Sequence, residues 1–458
     1  MASSTTANAN NPDPILFGFE FEFLVAQSKK DHHPADGRWR VDTDQTPAPK
    51  TAGFSLQSGN LGPPSFSFKA KPTTKGSKPA KTPIHKVTDK AEELLEKKGN
   101  LCVLTHKILR LSQTSPKEFE EAVEKVREKA GFYWRTNHVS NKYQGYTVVS
   151  DNSLHNTADK KQGQLLLDTN YGWIGVEVRS RVFHENDFNN GQVTEVDLLC
   201  SVLRAEMRLQ INHTCALQVT VSRQTSKGYN LLDLKKILTL VWVLEPWIYQ
   251  LCAPYRQNQK HCFLISQYSE LATMTQDTLK NMVPSWEYGY HVDEGVKYRD
   301  LMKLRGLWNS RTEVELQAKA CRRYGFAPKG KLGVSLNISP DGVHMIEFRM
   351  PEGTLDPGLA RMWATVFVKI AKVASLGSEE YKERLSGFMK RTNTTGAFTW
   401  QEMLQELRVP KEHIKLWGWK EQWFAGSPYH EPRPWAIKEG KLKPFLPKLE
   451  DDDARFEV

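Results

Sequence analysis

The segment Phe17-Gly18-Phe19-Glu20-Phe21-Glu22-Phe23 constrains this chain more than any other. In a strand, alternate side chains project to opposite faces, so Phe19, Phe21 and Phe23 share one face and Glu20 and Glu22 the other. A row of phenylalanines needs a covered core, and the alternation predicts a strand over Ile15 to Val25. Its glutamates then stand side by side. Neighbouring carboxylates repel unless a cation lies between them or one takes up a proton. Their hard oxygens suit magnesium, which accepts one or two carboxylates together with substrate phosphates. The other reading is a solvated outer face on an edge strand, and this segment alone does not separate the two.

Two further strands repeat the pattern. In Met345-Ile346-Glu347-Phe348-Arg349-Met350, Glu347 and Arg349 share a face opposite Ile346, Phe348 and Met350. A carboxylate beside a guanidinium can hold a metal and a phosphate respectively, and arginine suits forked phosphate contacts. Glu177 lies among apolar neighbours in Trp173-Ile174-Gly175-Val176-Glu177-Val178. An isolated Glu-x-Arg is more often a cross-strand salt bridge. Three acid-bearing strands with apolar alternate faces favour a shared Mg-nucleotide site.

Composition narrows the class. The chain has 458 residues, enough for two to three domains, with a net charge of +10. Between Gln45 and Thr88 there is no acid, while seven lysines and seven prolines stand there. Such a stretch cannot form a packed core and reads as an extended, mobile insertion. No recognition helix, zinc finger or aromatic RNA-binding signature accompanies it, which leaves a nucleic-acid role without support. Six cysteines without a C-x-x-C pair exclude a disulfide scaffold and argue against zinc or redox sites. Met1 to Pro14 lacks a signal-peptide core, and the longest apolar run, Ile237 to Leu244, is too short to span a bilayer. A cytoplasmic protein with no membrane association is the expectation.

Along the chain, helices are expected at Thr88 to Lys98, Ser115 to Gly131, Thr194 to about Gln210, Leu231 to Cys252 with a kink at Pro246, Thr312 to Tyr324, and Asp356 to about Leu376. Strands are expected at Leu101 to Leu104, Tyr143 to Ser150, Gly172 to Phe183, Thr214 to Ser222, Leu332 to Ile338 and Val343 to Met350. The last two flank the hairpin signal Pro340-Asp341-Gly342. The Trp- and Pro-rich end, Trp400 to Pro447, should wrap the domain. Hairpin-joined strands are antiparallel, so an α+β fold on an antiparallel sheet is favoured over a doubly wound one. Gly18-Phe19-Glu20 also carries an acid where a dinucleotide or P-loop fold would carry glycines. Three parts are expected: an N-terminus over 1–14 without order, a catalytic domain over 15–380 with the insertion at about 45–85, and an extension over 381–458 with an acidic tail.

The order GFEFEF, VVSDNSL, WIGVEVRSRVF, CALQVTV and IEFRMPEGTLDP resembles the amidoligase family, in particular a fungal-type member. The likeness runs from Ile15 to about Leu376. It implies the glutamine-synthetase-like fold of the carboxylate–amine ligases: a curved antiparallel sheet with carboxylates on its concave face and helices on the other side. It also implies that Glu20, Glu22, Glu177 and Glu347 hold the Mg2+ of Mg-ATP and that Arg349 contacts phosphate. Asp151 and Ser153 match the family's Asp-x-Ser, and Arg256 with Asn258 match an Arg-x-x-Asn-like element more weakly. For these four, capping and surface pairing stay open as alternatives to cofactor binding.

One departure stands out. Where family members commonly carry His-x-His, this chain has Gln218-Val219-Thr220. Gln218 and Thr220 still share a face, but neither carries a proton or charge near neutral pH. Gln218 can offer a carbonyl to a metal or an amide to a phosphate, and Thr220 can do so more weakly. His213 is out of register with the missing pair and reads as a turn residue. The implied chemistry is ATP-dependent amide-bond formation through an acyl phosphate, with Arg349, Gln218 and Glu177 as the catalytic set. Small-molecule or peptide carboxylates and amines are the expected partners. Glutamine-synthetase-like folds often assemble, so a homo-oligomer is among the expectations. The alternatives are a degenerate ligase-fold protein that binds nucleotide without catalysis, and a phosphotransferase on the same metal site.

Overall fold

Strand β1 (Ile15–Ser28) is the spine of the protein. The computed structural model describes residues 14–28, 41–42, 147–151, 153–154, 171–188, 196–197, 199–200, 203–204, 209–225, 227–258, 262–275, 277–279, 300–321, 331–338, 342–393 and 398–425. Around β1 lie β2 (Val41–Asp42), β3 (Thr147–Ser150), β4 (Tyr171–Arg179), β5 (Phe183–His184), β6 (Leu209–Gln210), β7 (Leu217–Arg223), β8 (Val334–Ile338) and β9 (His344–Phe348). Their order is β3-β4-β1-β7-β9-β8, an open sheet whose pairings are antiparallel except for the short β1–β2 contact. This mixed architecture fits the α+β expectation.

The phenylalanine row is buried as its alternation requires: Phe17, Phe19, Phe21 and Phe23 are all at most 1% exposed. Burying each such ring stabilises the fold by roughly 1.5–3 kcal/mol. The same face carries Leu217, Val219, Val221, Val334, Leu336, Ile346 and Phe348, all buried. The helices are α1 (Leu231–Leu251), α2 (Ile265–Tyr268), α3 (Glu270–Thr273), α4 (Leu301–Trp308), α5 (Glu313–Cys321), α6 (Pro357–Ala374), α7 (Ser378–Asn393), α8 (Trp400–Glu406) and α9 (Lys411–Ala425); α6 meets β1 and β7, α5 meets β8, and α7 and α8 pack on α1. Helix α6 lies directly against the sheet, with Phe367 stacked on Phe348 at 4.0 Å between ring centroids. The start of α6 follows its sequence: Asp356 caps it by accepting from the Leu359 N–H at 3.0 Å, and Pro357 opens the first turn.

Two expectations change. The strand expected to run to Phe183 stops at Arg179, because the Ser180 side chain enters the ladder: its Oγ accepts from the Phe19 N–H at 2.8 Å. The chain then rejoins β1 as β5. The helix expected to reach Gln210 does not, since Leu209 and Gln210 pair with Val25 and Leu24 as β6. Strand β7 reaches only Phe21, so the rest of that β1 edge needs another partner for its backbone groups. Helix α1 includes Pro246 within one 21-residue element. The β8–β9 hairpin is as expected, with Gly342 at φ 74° in the left-handed region that favours glycine.

Helices α8 and α9 of the Trp-rich end join the same core. Trp417 packs edge-on against Trp363 of α6 at 4.7 Å, and Phe398 against Trp247 of α1 at 5.0 Å. The elements expected between Thr88 and Gly131, the insertion at about 45–85 and the acidic tail lie outside the described residues. No helix among the described residues is long and apolar enough to cross a membrane.

Candidate functional site

The sheet's second face is polar, and the strand register decides who meets whom on it. Residues directly opposite on paired strands share a face. Glu22 stands opposite Glu177 and Glu20 opposite Arg179. On the other side Glu20 faces Gln218, Thr220 faces Gly18 and Glu347, and Ser335 faces Glu347. One continuous strip therefore carries Glu177, Arg179, Glu22, Glu20, Gln218, Thr220, Glu347 and Ser335.

At one end of the strip Glu22, Glu177 and Asp151 converge, with one carboxylate oxygen of each within 4.8 Å of the others. Asp151 follows β3 and is drawn in by its own backbone, which donates to Gly175 O at 3.1 Å. Gly175 is required there: a Cβ would sit 2.2 Å from Asp151 O. The Ser153 N–H donates to Asp151 Oδ1 at 2.7 Å and fixes that carboxyl in a local turn, so the Asp-x-Ser pair acts together with Ser153 contributing backbone. Glu22 accepts from the Ala216 N–H at 2.8 Å and from the Gln218 amide. Burial, then the charges of Asp151 and Glu177, push its carboxyl up to about 8.

The middle of the strip is balanced by arginines. Arg179 Nε donates to Glu177, and its guanidinium lies 3.6 Å from Glu20. Burial raises the Glu20 carboxyl well above the usual range; Arg179 opposes this, while Glu177 and Glu347 add to it. Arg349 pairs with Glu347, whose other oxygen accepts from Asn337 Nδ2 at 2.6 Å. Burial works against the charge on Arg349, but the carboxylates of Glu347, Glu20, Glu22 and Glu177 hold its proton more firmly than usual.

Arg256, 1% exposed, supports from behind: its Nη2 donates to Arg349 O at 2.6 Å and its Nε to Met350 O at 3.3 Å. Its Nη1 has no hydrogen-bond partner among the described residues. Asn258 closes the same short turn, Pro254–Asn258. Gln218 gives its amide nitrogen to Glu22, and its buried Oε1 is without a partner among the described residues. His213 lies in the turn before β7.

Glu22, Glu177 and Asp151 thus form one group, and Glu20, Glu347, Arg179 and Arg349 a second beside it. The sequence reading missed Arg179 and Asn337. Arg179 had a signal, since Glu177-Val178-Arg179 repeats the Glu-x-Arg spacing of Glu347-Phe348-Arg349. Asn337 had only its strand parity with Ser335. A third omission is the buried pair of Lys420 with Glu352, which clasps α9 to the loop after β9. Lys420 also donates to Leu251 O at 2.6 Å and lies 4.6 Å from the Trp417 ring centroid.

Such a face can bind a divalent cation at its acidic end and an anion at its guanidinium end. Residues 103–310 match a family model described as "Putative amidoligase enzyme". That span includes Asp151, Ser153, Glu177, Gln218, Thr220 and Arg256, while Glu20, Glu22, Glu347 and Arg349 lie outside it. No curated protein matches the chain.

Proposed function

From the amidoligase kinship that the match over residues 103–310 supports, we propose that this protein is an ATP-dependent carboxylate–amine ligase working through an acyl phosphate. We further propose that its sheet is of the glutamine-synthetase-like kind, with the polar strip as the working face. The observation that carries the proposal is the convergence of Glu22, Asp151 and Glu177. Acids gathered in a buried place destabilise one another and gain nothing without a counter-ion. Their donor set, hard oxygens alone, fits Mg2+.

In this reading Glu22, Glu177 and Asp151 hold a magnesium ion, and Glu20 and Glu347 complete the acidic lining. Bound magnesium supplies neutralisation of phosphate charge. Arg349, stiffened by Arg256 under its backbone, meets the phosphoryl group as negative charge spreads over its oxygens. Arg179 does the same from the opposite flank. Gln218 keeps Glu22 oriented, and Thr220 offers a hydroxyl beside Glu347. A substrate carboxylate attacks the γ-phosphate, ADP leaves, and an amine displaces phosphate from the acyl phosphate. This chemistry needs positioning and charge balance more than a protein nucleophile.

A second reading, nucleotide binding without turnover, is favoured by one feature: Gln218 and Thr220 cannot accept a proton from an attacking amine. Calorimetric titration of ATP with and without Mg2+, followed by a screen of carboxylate and amine pairs for ADP release, tests both. Mg-dependent binding with amine-dependent ADP release is the expected result. Binding without release across a broad screen would favour the second reading, and no Mg-dependent binding would overturn both.

A further inference from the structure

Asparagine is a poor strand former, yet Asn337 stands in β8, at the end of the sheet, where a β-branched residue would suit the backbone better. Its side chain is committed at both ends. The Ser335 hydroxyl donates to Asn337 Oδ1 at 3.0 Å, and Asn337 Nδ2 donates to Glu347 Oε2 at 2.6 Å. A carboxylate can only accept, so the amide must turn its nitrogen to Glu347, and the serine hydroxyl rewards that orientation. Ser335 sits directly across the ladder from Glu347, and Asn337 two residues further on the same face.

Glu347 is 3% exposed and has competing demands on it. Arg349 engages it through Oε1. Left free, a carboxylate beside a guanidinium rotates into a two-pronged pair, which would remove both the acid and the arginine from a ligand. The Asn337 amide takes the second oxygen and prevents that collapse.

We propose that Asn337 is a positioning residue for Glu347, held in its working orientation by Ser335, and that this relay sets how tightly the acidic face takes Mg-nucleotide. It rests on the Mg-nucleotide reading above, but nothing in that reading requires β8 to contribute. Neither residue touches the nucleotide in this account; both act through the direction of one carboxylate and the freedom of one guanidinium.

The test is calorimetric titration of Mg-ATP into the full chain, with thermal melts alongside. Asn337→Ala should weaken binding roughly ten- to a hundredfold, the usual loss when an outer partner of the carboxylates around a metal site is removed, well beyond what its modest drop in melting temperature explains. Ser335→Ala should give a smaller loss, and Ser335→Thr, which keeps the hydroxyl, should restore binding. In an Asn337→Ala background Ser335→Ala should add nothing, a coupling that a general packing role would not produce. Wild-type binding with Asn337→Ala unchanged would overturn the positioning role and leave the nucleotide site standing. Equal losses from Ser335→Ala in both backgrounds, or affinity falling only in step with the melting temperature, would also overturn it. A wild-type chain that binds no Mg-ATP would overturn the proposed function and this relay together.

Discussion

Removing the charge of Glu22 should make the metal-free protein more stable. Its carboxyl is raised from 4.5 to about 8 by burial and by Asp151 and Glu177. A folded-state value above the unfolded one means stability is fully present below about pH 4.5 and lost as pH rises through about 8. At one pH unit per 1.36 kcal/mol, keeping Glu22 protonated while the unfolded chain ionises it costs the folded state about 1 kcal/mol at pH 5 and about 4 kcal/mol at pH 7.5. A glutamine escapes that cost. Its oxygen can keep the Ala216 N–H, and its nitrogen can donate to Gln218 Oε1 once that amide turns over, using an acceptor that now has no partner. Urea denaturation in EDTA should therefore show Glu22→Gln gaining on the wild type by about 3 kcal/mol between pH 5 and pH 7.5. Magnesium should close most of that gap at pH 7.5, because a ligand that binds only the folded state adds about 2.7 kcal/mol to the wild type at a hundredfold excess over Kd. A variant weakened equally at both pH values would refute the reasoning, since Glu22 would then be a satisfied partner within a packed surface.

Lys420→Met should cost about 3–5 kcal/mol in urea denaturation by stranding the buried Glu352 carboxylate, and Glu352→Gln in the same chain should recover part of it; equal single and double losses would contradict a buried ion pair. Glu245, buried in α1 and accepting from the Ile265 and Ser266 N–H groups, is raised by burial to about 7. Its contribution is full below about pH 4.5 and lost as pH rises through about 7, so Glu245→Gln should flatten the stability profile between pH 5 and 8; an unchanged slope would refute this. Gln218→Ala should cost the proposed ATP-dependent ligation about 1–3 kcal/mol in kcat/KM, the scale of a lost hydrogen bond to a charged group, and no change would count against its role at Glu22.

Which residues face which way follows from the covalent chain alone. Strand parity is covalent, so once Ile15 to Val25 is a strand, Glu20 and Glu22 must share a face and the phenylalanines the other. The same rule placed Glu347 with Arg349, Glu177 between apolar neighbours, and Gln218 in line with Thr220. The start of α6 was legible as well, because Asp-Pro caps locally. Local propensity could not see where β4 would stop, which the Ser180 side chain decides at the Phe19 N–H, or that Leu209 and Gln210 would leave a helix, which depends on the β1 edge left open beyond Phe21. Which acids meet is settled by how distant strands pair. Register between strands far apart in sequence puts Glu22 beside Glu177 and Asp151, sets Glu20 among Arg179, Glu177 and Glu347, and brings Asn337 onto Glu347. Those pairings decide the charge balance of the face. Register is a property of whole strands packing together, and no single segment contains it.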